Sequence, residues 1–144
     1  MKAWLLLIYK VPSEPSAKRV YVWRKLKGMG ALLVQDSAWV LPANRQTREK
    51  LQWLAAEIKD MEGGFATMWE ADLVFTGNDH DIAQQFMKQT DEIYREILNQ
   101  MDHADNDLTA LSKRYQQAKT QDYFDSPLGE EVRQALLRRR EGNS

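Results

Sequence analysis

Residues 3–10, AWLLLIYK, are apolar without alternation, the pattern of a strand buried on both faces. Pro12 and Pro15 end it and open a turn. Ser16 is placed to cap a helix that reaches about Lys27, and Gly28 and Gly30 stop it. Ala31–Gln35 and Ala38–Leu41 are short apolar runs on either side of Gln35-Asp36-Ser37, which predicts a hairpin closed by Pro42. Thr47 is placed to cap a second helix, with Glu49 in its first turn and an apolar stripe of Leu51, Leu54, Ala55, Ile58 and Met61. Gly63-Gly64 ends that helix, and Phe65–Phe75 predicts a fourth strand with an interruption near Glu70.

The order is β-α-β-β-α-β. Right-handed crossovers then put both helices on one face of a four-stranded antiparallel sheet, which is the α+β, ferredoxin-like arrangement. The second sheet face needs a cover or a partner, because Trp39 and Trp69 are both poorly suited to water. Beyond it the spacing becomes helical throughout. Asp79 is placed to cap a long helix with Ile82, Phe86, Ile93, Ile97 and Met101 on one side, followed by a polar break over 102–107. Leu108, Leu111, Tyr115 and Ala118 mark another helix. Ser126-Pro127 is an N-cap with proline at the first helical position, and Arg138–Arg140 suit that helix's C-terminus. The expected organisation is a ferredoxin-like domain over residues 1–77 and a helical extension over 78–144 that packs on it or on a second protomer, with Glu141–Ser144 frayed.

Charge adds a feature that the apolar pattern hides. The net charge is −1, yet residues 1–50 carry ten Lys/Arg against Glu14, Asp36 and Glu49, while residues 51–144 carry ten against eighteen acids. A layout of this kind points to an anionic partner for the N-terminal half, or to attraction between the halves. The basic charge concentrates on the first helix. At about 100° per residue, Val20, Val22, Trp23 and Leu26 point to one side and Lys18, Tyr21, Arg24 and Lys25 to the other, with Arg19 and Lys27 on the flanks. Long cations around an aromatic ring suit a phosphate backbone: the cations release counterions and the ring can stack. The candidate DNA-binding set is therefore Lys18, Arg19, Tyr21, Arg24, Lys25 and Lys27, against the alternative of a solvated face that keeps the protein dispersed.

Other chemistry finds little support. There is no cysteine, which excludes disulfides, thiolate metal sites and a cysteine nucleophile and fits a reducing cytoplasm. Two histidines make zinc chemistry of the usual kind unexpected. Asn78–Asp81 and the acids around His103 read as helix caps and a polar turn, so no metal or other cofactor is expected. Adjacent acids such as Asp91/Glu92 point apart on a helix, and no serine sits in a nucleophile elbow, so the chain is expected not to be an enzyme. The opening segment imitates a secretory leader, but its apolar run is short and better suited to a core strand; a cytoplasmic, membrane-free protein is expected.

WLLLIYKVPSEPSAKRVYVWRKLKGMGALLVQDSAWVLPA, then LQWLAAEIKDMEGGFATMWEADL and KRYQQAKTQDYFDSPLGEEVRQAL, resemble the N-terminal part of the ChrB chromate-resistance regulators across nearly the whole chain. The resemblance implies a bacterial cytoplasmic regulator of chromate-efflux operons that binds promoter DNA and responds to chromate, with Lys18, Arg19, Arg24, Lys25 and Lys27 as the DNA-contacting positions; a homodimer whose two-fold axis brings two basic faces to one duplex is the expected working form. Full ChrB proteins carry a further domain thought to sense chromate. This sequence stops before it, so a stand-alone regulator or a module that pairs with a separate sensor protein is expected. A more distant similarity links the segment to the central domain of phenylacetate-pathway repressors and to the small CRISPR-associated integration subunit, both ferredoxin-like and dimeric. Nucleases of the CRISPR-associated kind hold a metal with an aspartate at the end of the first strand. Lys10 stands in that region here, which disfavours nuclease activity. Chromate is a dianion that Arg or Lys could hold, but reducing it needs a thiol or redox cofactor.

Overall fold

A computed structural model describes residues 2–103 and 105–142. The element order is β1 (Trp4–Lys10), α1 (Ala17–Gly28), β2 (Leu32–Gln35), β3 (Ala38–Pro42), α2 (Arg45–Asp60), β4 (Phe65–Ala71), α3 (Asp79–Met101), α4 (Leu108–Thr120) and α5 (Pro127–Gly142). Four antiparallel strands run in the order β2-β3-β1-β4, the sheet of the ferredoxin-like arrangement. The chain divides into two compact units, one ending at Ile82 and one beginning at Ala83, so the division falls inside α3.

In the first unit the register decides which residues are core. Leu5 pairs with Leu41, Leu7 pairs with Trp39 and with Met68, and directly opposed residues share a face. Leu5, Leu7, Trp39 and Leu41 are buried. From the helix side, Val22, Leu26, Leu51, Leu54 and Ile58 are buried as well. Trp69 pairs with Leu6 and so lies on the opposite face from Trp39. The two indoles expected to share an open face are separated by the period of two along a strand. β1 is also not buried on both faces throughout, because Ile8 near its end is exposed.

Several element ends differ from expectation for local reasons. Ser16 occupies the N-cap position of α1 but makes no side-chain cap bond. The C-terminus of α1 is a Schellman turn: Gly30 adopts φ 76°, its N–H donates to Lys27 O at 3.0 Å, and Ala31 N–H donates to Leu26 O at 3.0 Å. α2 is capped by Asn44 rather than Thr47. The Asn44 side chain accepts from Thr47 N–H at 2.9 Å and Thr47 Oγ1 accepts from Asn44 N–H at 3.1 Å, a reciprocal capping box. β4 ends at Ala71, the partner of Trp4, because β1 offers no further residue to pair with; Asp72 Oδ1 instead accepts from Ala3 N–H at 3.0 Å. At the start of α3, Asn78 and Asp81 cap one another reciprocally at 3.1 and 2.9 Å, and Asp79 Oδ1 accepts from Trp4 Nε1 at 2.9 Å.

The second unit packs Tyr94, Ile97, Met101, Leu111, Tyr115, Ala118, Val132 and Leu136 into one core. Tyr94 donates its hydroxyl to Asp122 at 2.9 Å, Asp122 accepts from Ser126 N–H at 3.0 Å, and Ser126 Oγ donates to Asp91. A Cβ at Gly129 would lie 3.0 Å from the Tyr94 hydroxyl, so any larger residue there, in the first turn of α5, would press on the ring and shift it by a few tenths of an ångström. Arg139 donates to Met101 O at 2.7 Å and Arg140 to Ser112 Oγ at 2.9 Å, so two of the three terminal arginines are used within the unit. Within the expected polar break, Ala104 lies outside the described residues, as do Asn143 and Ser144 of the expected frayed end; Glu141 is still helical.

Removal of the α2 cap in Asn44→Ala is expected to cost about 1 kcal/mol in urea denaturation. Tyr94→Phe is expected to cost about 2 kcal/mol, because the bond lost is to a carboxylate. Burial, and then donation to Asp122, raise the Tyr94 pKa. A raised acid contributes stability that is present below the unfolded tyrosine pKa of about 10 and is lost as pH rises past it. Tyr94→Phe is therefore expected to flatten the alkaline fall in melting temperature, read by circular dichroism between pH 8 and 11.

Candidate nucleic-acid interface

Of the side of α1 expected to face inward, Val20, Val22, Trp23 and Leu26, the structure buries only half. The Schellman turn and the following strand β2 orient the helix, and only Val22 and Leu26 become fully buried. The partly exposed Lys18 lies on the same side, and its Nζ donates to Glu62 O at 3.4 Å. Val20 and Trp23, expected to point inward, are 42% and 50% exposed.

The six candidate residues fall into two groups. Lys18, Tyr21 and Lys25 lie toward α2: the Tyr21 hydroxyl donates to Glu57, and Lys25 Nζ sits 5.5 Å from the centre of the Tyr21 ring. That donation raises the Tyr21 pKa. Arg19, Arg24 and Lys27 lie on the outer side with Val20 and Trp23, and Lys27 Nζ is 6.0 Å from the Trp23 ring centre. Arg19, Arg24, Lys25 and Lys27 are exposed, and among the described residues no ion pair engages them.

Arg19 and Arg24 also line a cleft of about 640 Å³ between α1 and the sheet, together with Tyr9, Lys10, Trp23 and Trp39. Sequence reasoning missed Tyr9, Lys10 and Trp39 as parts of any site. Tyr9 and Lys10 end β1 and Trp39 is on β3, so only the crossover of α1 brings them together. Burial raises the Tyr9 pKa, while the Trp39 indole and Arg19 oppose the rise. The indole is near the hydroxyl but not in hydrogen-bond geometry, and Trp39 Nε1 has no partner although it is buried. Among the described residues no group of three or more His, Asp or Glu is placed to hold a metal ion. Among them, too, no helix is long and apolar enough to cross a membrane.

No solved structure matches this chain. The Protein ChrB of Cupriavidus metallidurans is 38% identical over 61 residues, 42% of this chain and 19% of that protein. The chain thus spans about a fifth of the length of the curated relative it matches. Residues 19–141 match the family described as protein ChrB, N-terminal, a span that runs from within α1 through the hairpin into the last turn of α5. The chain belongs to the ChrB N-terminal family.

Proposed function

We propose that this chain is a regulatory protein linked to chromate resistance, working in the cytoplasm as a homodimer that contacts double-stranded DNA through α1 without catalysing a reaction. The observation that carries the reading is the exposed row Arg19, Arg24, Lys25 and Lys27, whose charges are not spent on the protein's own carboxylates among the described ion pairs. Each cation that meets a phosphate displaces condensed counterions, and that release drives association. Such contacts position the protein without reading bases. A two-fold axis would present two copies of α1 to one duplex. Ile8, Phe65 and Trp69 remain exposed on the sheet face away from Leu5 and Leu7, which supports a self-association surface.

A second reading makes the chain a protein-interaction module that pairs with a separate sensor protein and binds no DNA. Val74 and Phe75 favour it, since they are 90% and 84% exposed in the segment after β4. Single apolar residues on a surface are ordinary, but two adjacent ones at this exposure suit a docking contact.

Arg24→Gln with Lys25→Gln is expected to weaken duplex binding and to lower the slope of log affinity against log salt by about 2, at about 0.9 per phosphate contact. The same double variant should change unfolding stability by no more than about 0.5 kcal/mol, since neither charge is in an ion pair among the described residues and the contact of Lys25 with the Tyr21 ring is exposed. Unchanged duplex affinity in the variant would remove α1 as the contact. Absence of any salt-dependent shift in the wild type, with a partner lost on Val74→Ser and Phe75→Ser, would favour the interaction module.

A further inference from the structure

The cleft beside α1 has more structure than a phosphate backbone needs. Its volume of about 640 Å³ lies in the range of sites for small organic ligands and far exceeds the room taken by a bare inorganic oxyanion. Its charged lining is Lys10, Arg19 and Arg24 against a single acid, Asp36, which favours an anion. Its lining also includes Trp23, half exposed, and Trp39, 2% exposed. The buried Trp39 Nε1 has no hydrogen-bond partner. An unpaired buried N–H carries a desolvation penalty that a ligand acceptor removes. Ser37 and Asp36, at the β2–β3 turn, add a hydroxyl and a carboxylate to the same lining.

An aromatic plate, cations for an anionic group, a donor in the wall and acceptors for hydroxyls together describe one kind of ligand. We propose that this cleft binds a nucleoside monophosphate unit, with the base against Trp23, the phosphate on Arg19 and Arg24, and an acceptor atom of the ligand on Trp39 Nε1. The unit can come from a free nucleotide or from an unstacked nucleotide in a single strand, since both present the same groups. The inference goes beyond duplex contact: it shares Arg19 and Arg24 with the duplex reading and adds Lys10, Tyr9 and Trp39, which are not among the residues assigned to the duplex.

The test uses the full chain, with the indole N–H resonances followed by NMR and affinities by calorimetry. The probes are adenosine 5′-monophosphate, adenosine, inorganic phosphate and a short single-stranded oligonucleotide. The monophosphate is expected to shift the Trp39 indole signal and to bind at least tenfold more tightly than adenosine or phosphate. A single strand that binds more tightly than the monophosphate identifies the strand as the source; the reverse identifies the free nucleotide. Trp39→Phe removes the N–H but keeps an aromatic ring, and is expected to weaken the monophosphate about tenfold, measured at a temperature where circular dichroism shows the variant folded. Should that variant fail to fold, Arg19→Gln with Arg24→Gln is expected to lose the same binding. A Trp39 signal unmoved by the monophosphate and by the oligonucleotide at millimolar concentration would overturn the site, as would an equal response to phosphate alone. Duplex affinity measured beside these separates the two ideas: nucleotide binding without duplex binding leaves the cleft standing and removes the DNA reading, and the converse does the opposite.

Discussion

The narrow seam made by Val22 and Leu26 sets what this molecule presents to its surroundings. A helix that buried a wide apolar stripe would carry Val20 and Trp23 inward, as the composition of α1 first implies. The Schellman turn at Gly30 and the burial of Ala31 fix the helix to β2 instead, and only two side chains of α1 become fully buried. Everything else on α1 is left at or near the surface. The arginines, Lys27, Val20 and Trp23 therefore form one outer side, while Tyr21 turns toward Glu57 of α2 and Lys18 toward the Glu62 carbonyl just beyond it.

This division gives the basic half of the chain a physical meaning. Tyr21 spends its hydroxyl on Glu57 and Lys18 spends its ammonium on a backbone carbonyl, so both have structural partners. Exposed surface ion pairs contribute little to stability in any case, and the outer cations of α1 do not even form them among the described residues. Long cations held in a row without structural duty are the physical basis for reading this face as a contact for a polyanion. The cleft that adjoins them draws on the same arginines but adds the buried Trp39 and the half-buried Tyr9, which a simple backbone contact does not require.

The second unit is built on a different principle. Its centre is a buried phenol that donates to one carboxylate, which in turn receives the amide of a helix cap whose hydroxyl satisfies a second carboxylate. Buried polar groups are tolerated when every member is paired, and such a chain of pairs specifies one arrangement of helices more sharply than apolar packing alone. Gly129 belongs to the same arrangement, since the ring occupies the space its side chain would need. Arg139 extends it by donating to the last carbonyl of α3, a use of a C-terminal arginine that leaves it less available to an outside anion.

Local sequence determined the existence, type and order of the nine elements among the described residues, because apolar period, glycine and proline act over a few residues. It also made legible the fold class and the basic character of α1. Caps were harder: Asn44 and Thr47 both suit an N-terminus, and only the backbone hydrogen bonds show that they share it. The length of β4 was not legible, since a strand lasts only as long as its neighbour. The facing of Trp39 against Trp69 followed from ladder register, the exposure of Trp23 from how α1 is seated, and the cleft from residues thirty positions apart in sequence. Those outcomes depend on which long-range surfaces meet. Periodicity states that a face exists, and only tertiary packing decides what is laid against it.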